Sequence, residues 1–274
     1  MRILHTNMHR GGWGGQANRI LEKSKGLIKM GYEVIIAAPK GATLIERARI
    51  FGIDVFDNLT LSKKFNLIYF VKDLINMVLL MKSKRVDVVH THGSQDSWVA
   101  SIAARIVDSS IPIVRTRHNI FTVRTHWFNK LLYRILTDYL VAISFAVFDV
   151  YKKNGVLGKS IEKVKVIYSA VPVEQVIGDR VTEKEHEFVV VNVGRLAREK
   201  AQEFFVKFVS KLKTKLKLKA FILGEGPREH FLRSMSRELK VDDVLVFTGL
   251  TDKVKEFLSV ADLLVSTSVS EGLG

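Results

Sequence analysis

Arg195 and Lys200 stand five residues apart just past the apolar run Phe188–Val193, within Gly194-Arg195-Leu196-Ala197-Arg198-Glu199-Lys200. Arginine offers phosphate oxygens a planar fork of donors and lysine a point charge, so a strand–helix junction holding both suits a diphosphate. Gly224-Glu225-Gly226-Pro227 gives a second tight loop opening a helix, and Ser270-Glu271-Gly272 ends another apolar strand with one carboxylate. A strand that delivers a Glu in this way equips an α/β sheet with a ligand site at its carboxyl edge. Near the start, Gly11-Gly12-Trp13-Gly14-Gly15 follows a short strand and precedes a helix, where backbone N–H groups can cradle an anion. Gly12-Trp13-Gly14-Gly15-Gln16-Ala17 fits a loose dinucleotide fingerprint, which also needs an acidic residue after the second strand to hold a ribose. Ala37-Ala38-Pro39-Lys40 stands there instead, which disfavours NAD and leaves phosphate binding open.

The elements that must position these groups alternate along the chain. Apolar runs at Ile3–His5, Val34–Ala38, Val86–His90, Ile111–Val114, Tyr139–Ile143 and Val164–Ile167 read as strands. Helical patterns lie between them: Ala17 to Ile28, closed by Gly31, then Phe65–Lys84, Ser97–Val107, Trp127–Leu136 and Phe145–Lys153. Continuous rather than alternating apolar strands imply a parallel sheet covered on both faces. The charged stretch from Pro172 to Glu187 carries no period and reads as a linker. The rhythm restarts with strands at Phe188–Val193, Ala220–Leu223, Val244–Phe247 and Leu263–Val265, and helices at Phe204–Leu212, Pro227–Leu239 and Val254–Leu258. The expected architecture is α/β: two Rossmann-like doubly wound domains, residues 1–171 and 188–274, joined by a linker at 172–187, the second domain incomplete.

Composition narrows the chemistry. No cysteine is present, and no His pair sits at helical ligand spacing beside a carboxylate, so neither a disulfide framework nor a metal site is expected. His90 and His92 are two apart on a strand and share a face, a pattern more common in polar strand ends than in metal centres. The net charge of +15 is uneven: residues 1–170 hold 26 Lys and Arg against 12 Asp and Glu, whereas residues 171–274 hold 17 against 16. A negatively charged partner is therefore expected on the first half. No basic–aromatic RNA motif, zinc finger or recognition helix is present, so nucleic acid is not an expected partner. Met1-Arg2-Ile3-Leu4 enters a strand directly, and Phe65–Met81 is interrupted by Lys72, Asp73 and Asn76. The expected location is cytoplasmic.

Taken in order, these motifs resemble family 4 glycosyltransferases, retaining enzymes of the GT-B type. The resemblance rests on Gly194-Arg195-Leu196 with Lys200, Gly224-Glu225-Gly226-Pro227, Phe247-Thr248-Gly249, and Ala261-Asp262 leading to Ser270-Glu271-Gly272-Leu273-Gly274. In the first half it rests on the glycine loop, Asp87-Val88-Val89-His90-Thr91-His92-Gly93, Arg117-His118-Asn119, Val141-Ala142-Ile143-Ser144 and Val166 to Pro172.

The resemblance implies two facing domains with a nucleotide diphosphate sugar bound by the second. Arg195 and Lys200 would hold the diphosphate and stabilise the leaving group without a metal or other cofactor. Glu271 would hydrogen-bond the donor sugar, and His118 would sit close to it. Gly14, Gly15, Gly194, Gly224, Gly226 and Gly272 would line the donor site, with Leu250 and Thr251 by the nucleotide base. The acceptor would lie against the first domain, near Trp13, His92, Arg117 and Arg124. Arg115, Arg117, Arg124, His126, Lys130 and Arg134, interleaved with Phe121, Trp127, Phe128 and Tyr133, suggest a basic aromatic surface for an anionic glycolipid or glycan at a bilayer, with peripheral contact on the inner face of the membrane. Two departures stand out. Ala201 replaces the family's usual Gly, and the family's second Glu, eight residues past Glu271, falls beyond Gly274. A transferase and a fragment keeping only acceptor or membrane binding are both open on these residues.

Overall fold

The computed structural model describes residues 1–11, 14–62, 65–169 and 187–273. Trp13, Gly274 and most of the expected linker lie outside the described residues. The chain divides into two units, Met1–Ser169 with Gly272–Gly274, and Ala170–Glu271.

The first unit is a seven-stranded parallel sheet in the order β3-β2-β1-β4-β5-β6-β7. Its strands are β1 (Arg2–Thr6), β2 (Glu33–Ala37), β3 (Asp54–Phe56), β4 (Val88–Thr91), β5 (Ile113–Arg117), β6 (Tyr139–Ala142) and β7 (Val164–Val166). Helices α1 (Gly15–Lys29) and α2 (Thr43–Ile50) cover one face, and α3 (Leu67–Lys84) and α4 (Gln95–Val107) cover the other. The alternation of β2 shows why: Val34 and Ile36 pack with Ile20 and Leu21 of α1, while Ile35 packs with Met77 of α3. Each such fully buried aliphatic side chain contributes about 1.5–3 kcal/mol.

Local chemistry sets the helix ends. Asn66 caps α3 by accepting the Tyr69 N–H at 3.1 Å, and Ser144 caps α6 (Phe145–Asn154) by accepting that of Val147 at 3.3 Å. Gly155 ends α6 at φ +67°, the left-handed conformation glycine adopts without penalty. Buried Asp73 on α3 accepts the backbone N–H groups of Thr60 and Leu61, each at 2.7 Å, and so fixes the loop ahead of the helix. The single helix expected over Trp127–Leu136 is instead α5 (Trp127–Leu131) followed by a π turn, Leu132–Leu136. Thr137 Oγ1 donates to the Leu132 carbonyl at 2.8 Å, five residues back, at the end of that turn.

The second unit is a four-stranded parallel sheet, β10-β9-β8-β11. Its strands are β8 (Phe188–Val193), β9 (Leu218–Leu223), β10 (Leu245–Gly249) and β11 (Leu263–Leu264). Its helices are α7 (Gln202–Lys213), α8 (Glu229–Glu238) and α9 (Val254–Val260). Phe205, Val206 and Val209 of α7 and Leu232 of α8 close over Val190, Ala220 and Ile222. In each unit the strand order reverses beside the first strand, between β1 and β4 and between β8 and β11. Open parallel sheets bind ligands at the carboxyl ends of the strands at such points.

Candidate functional site

In the second unit, the junction after β8 places Gly194, Arg195 and Lys200 at the carboxyl end of the sheet. Arg195 is exposed, and Lys200 lies in a short 3-10 turn over Arg198–Lys200. Ala201 follows at φ +47°, so the position the family gives to glycine does require the left-handed region. Lys200 Nζ meets Glu271 Oε1 at 2.6 Å. Burial raises the Glu271 pKa, but the Lys200 and Ser268 hydrogen bonds outweigh it and leave the carboxyl below its ordinary value. Thr267 Oγ1 donates to the Lys200 carbonyl at 2.8 Å, and the Val269 N–H donates to the Glu199 carbonyl at 2.9 Å. The segment after β11 is thereby stitched to the Lys200 turn. Arg195 and Lys200 share one loop, and Glu271 neutralises one of them.

Glycine sets how closely the loops approach. Gly224 follows β9 at φ +135°, and a Cβ there would lie 2.2 Å from the Gly194 carbonyl oxygen. A Cβ on Gly226 would lie 2.4 Å from that of Leu196. The Leu196 N–H donates to the Glu225 carbonyl at 2.9 Å, so the Arg195 loop and the Gly224 loop form one backbone layer. Gly224→Ala is expected to cost about 3 kcal/mol through strain and overpacking, read as a lower urea midpoint at unchanged m-value. Leu250 and Thr251 follow β10 on the same edge; Leu250 is exposed, and Thr251 Oγ1 accepts the Lys253 N–H at 3.1 Å.

In the first unit, the switch point between β1 and β4 holds a stack of imidazoles. His5 on β1 lies opposite His90 on β4, and His92 follows β4. The His90 and His92 rings stack at 4.5 Å. His5 Nδ1 lies 3.1 Å from His92 Nε2, and His92 Nδ1 lies 3.0 Å from His118 Nε2. His90 Nε2 pairs with Thr116 Oγ1 at 2.7 Å. His5 Nε2 is buried with no partner. A buried bare lone pair costs less than a buried orphan N–H, so the favoured tautomers run outward from His5. His5 Nδ1–H then donates to His92, His92 Nδ1–H donates to His118, and His118 presents Nδ1–H as a free donor.

Burial, followed by the cations Arg19, Lys23 and His9, pushes His118 down to about 3. His5, His90 and His92 are held well below the ordinary imidazole value, first by burial and then by neighbouring positive groups that include Lys23. Lys23 itself is pushed down to about 7 by burial and by Arg19. One nitrogen from each of His5, His90 and His92 falls within 4.8 Å of the others, the spacing a metal ion could use. Two of those three rings, His5 and His92, already share a hydrogen bond at 3.1 Å.

The remaining expected residues fall in different settings. A Cβ on Gly14 or Gly15 would meet no protein atom within 4 Å, so protein packing does not select glycine at the N-terminus of α1. Gly272 belongs with the first unit, where a Cβ would lie 2.4 Å from the His118 carbonyl oxygen. Arg117 is taken up structurally: its Nε donates to the Asn119 carbonyl at 3.0 Å, and its Nη2 to that of Phe121. Arg124 is exposed.

The basic aromatic surface expected over Arg115–Arg134 is only partly a surface. Arg115 is buried, its guanidinium 4.6 Å over the buried Tyr133 ring, and Arg134 Nε donates inward to the Val156 carbonyl at 2.7 Å. Sequence reasoning passed over His5, Lys23 and Asp96. Asp96 Oδ2 accepts from Thr6 Oγ1 at 2.9 Å, the His92 N–H at 3.1 Å and the Gly93 N–H at 3.0 Å, and so fixes the loop that carries His92.

Comparison with known proteins agrees with both units. The profile of Glycosyltransferase Family 4 matches residues 13–175, and that of glycosyl transferases group 1 matches residues 175–274. The chain is 25% identical over 206 residues to the putative glycosyltransferase EpsD of Bacillus subtilis, covering 69% of this chain and 54% of EpsD. It is 25% identical over 296 residues to the alpha-monoglucosyldiacylglycerol synthase of Acholeplasma laidlawii, covering 95% of this chain and 72% of that one. A glycosyltransferase from Rickettsia africae superposes with TM-score 0.79 at 18% identity, over 98% of this chain and 73% of the other. Anabaena HepE, in complex with UDP and glucose, superposes with TM-score 0.76 at 16% identity, over 98% of this chain and 74% of the other. The structural likenesses show the fold. The chain spans about half the length of EpsD.

Proposed function

Because the chain belongs to Glycosyltransferase Family 4, we propose that it moves a sugar from a nucleotide diphosphate sugar to a glycolipid or glycan hydroxyl, with retention of configuration. The observation that carries this reading is the Lys200–Glu271 pair beside Arg195, on a glycine-layered loop at the switch point of the second sheet. Arg195 and Lys200 are the groups for the diphosphate, and Glu271 is the carboxylate for sugar hydroxyls. The bond from the anomeric carbon to the phosphate oxygen breaks with its electron pair going to the phosphate, where the two cations stabilise the growing charge. The acceptor oxygen bonds to the same face of that carbon, and its proton passes to the departing phosphate oxygen. His118, held neutral, takes part as a hydrogen-bond donor through Nδ1 rather than as a cation.

The Acholeplasma relative is named for a product on diacylglycerol, which supports a glycolipid acceptor. No helix among the described residues is long and apolar enough to cross a membrane. The test is transfer from a panel of nucleotide diphosphate sugars to lipid and glycan acceptors, with the product anomer read by nuclear magnetic resonance. Retention is expected. An inverted product overturns same-face displacement, and no transfer from any donor overturns the reading.

A further inference from the structure

Helix α3 buries one face and leaves the other apolar. Met77, Leu80 and Met81 lie in the core, whereas Ile68, Ile75 and Leu79 are 77%, 54% and 60% exposed. These three recur at helical spacing, with exposed Val71 beside them and exposed Lys72 and Lys82 along the same face. Single exposed aliphatic residues are ordinary; a continuous stripe along three turns marks an interaction surface.

The charge around the stripe has one sign. Residues 58–85 contain six Lys or Arg and one acid, Asp73. Asp73 is buried and occupied by the Thr60 and Leu61 N–H groups. Lys84 is paired with Asp54 of β3 at 2.7 Å, which leaves Lys72 and Lys82 as the cations of the outward face. Exposed aromatic rings also stand on α5 of the same unit. Trp98 of α4 meets Phe128 of α5 edge-on at 6.4 Å, and Phe128 stacks on Trp127 at 3.7 Å, both of these α5 rings being exposed.

We propose that the outer face of α3 seats this protein in the headgroup–acyl boundary of a bilayer containing anionic lipid, with Lys72 and Lys82 against the phosphates. This deepens the glycolipid reading and rests on it for its purpose. An amphipathic helix with an aliphatic stripe bordered by lysines lies in the plane of such an interface, and flanking aromatic rings sit at headgroup level. A second copy of the chain fits less well, because two-fold pairing of the stripes sets Lys72 and Lys82 against their own counterparts.

The test is sedimentation of the full chain with phosphatidylcholine vesicles, with and without phosphatidylglycerol. Wild-type protein is expected to sediment with the anionic vesicles and to be released by salt. Ile75→Glu/Leu79→Glu is expected to weaken partitioning about a hundredfold, and Lys72→Gln/Lys82→Gln about tenfold with a shallower salt dependence. Both pairs are solvent-facing, and matching circular dichroism verifies that they fold. UDP titration of the same variants should be unchanged, so failure of docking and failure of the donor reading are separable. Partitioning by the Ile75/Leu79 variant equal to wild type overturns the proposal. So does a wild-type dimer, seen by sedimentation equilibrium, that the same variant dissolves.

Discussion

Lys200→Ala and Glu271→Gln are expected to lower sugar transfer together while moving nucleotide affinity in opposite directions. Removing the Lys200 ammonium takes away one of two cations available to the departing phosphate, and losing one preorganised charge of this kind typically costs about 10²–10³ in kcat. It also weakens binding of the bare diphosphate. Glu271 stands 2.6 Å from that ammonium and is held ionised by it. In Glu271→Gln the carboxylate charge is gone, so Lys200 presents its full charge to phosphate and the nucleoside diphosphate is expected to bind several-fold tighter. Transfer nevertheless falls about 10²-fold, because the sugar loses a charge-assisted hydrogen bond. Steady-state kinetics and nucleoside diphosphate titration on the two variants read both signs. A Glu271→Gln variant that loses nucleotide affinity in step with Lys200→Ala means that the pair only braces the loop.

Acid is expected to unfold the first unit well above the carboxylate range. His5, His90 and His92 are buried and held well below the unfolded value of 6.5, so the native state keeps them neutral while the unfolded chain takes up protons. Stability therefore falls as the pH drops through about 6.5, and the loss continues until the lower folded values are reached. At pH 5.5 each such histidine favours the unfolded chain by about 1.4 kcal/mol, or about 6 kcal/mol for four once His118, pushed down to about 3, is counted. That is a large part of the 5–15 kcal/mol that typically separates folded from unfolded states. Urea midpoints at pH 7.5 and pH 5.5 measure the difference, and His90→Gln should reduce it by about a quarter whatever its own cost. A midpoint flat across that interval contradicts neutral burial of the cluster.

The two predictions rest on features of unequal legibility in the sequence. The loop proposed for the diphosphate is local in sequence: Gly194, Arg195 and Lys200 are consecutive or nearly so, behind an unmistakable apolar strand. Its partner Glu271 was readable as a strand-end carboxylate, but the 2.6 Å contact across 71 residues depends on β11 lying beside β8. The parallel sheets followed from continuous apolar runs such as Val34–Ala38, whereas α2 and β3 were missed. Strand β3 is three residues long and begins with an exposed Asp, too short to show a period. The imidazole cluster was hardest to foresee. His5 stands alone on the first strand, and only the β1–β4 pairing carries it to His90 and His92. Lys23 reads as an ordinary solvent-facing helix position, and nothing local indicates that burial and Arg19 push it down to about 7.

Isothermal titration of the full chain with a panel of nucleoside diphosphates, UDP and GDP among them, in the presence of a chelator tests the donor site most directly. Saturable one-to-one binding of at least one of them is expected without a divalent ion, because Arg195 and Lys200 supply the positive charge. It is expected to weaken at least about a hundredfold in Arg195→Ala/Lys200→Ala. Binding that appears only with added metal, or that survives the double substitution, would contradict it.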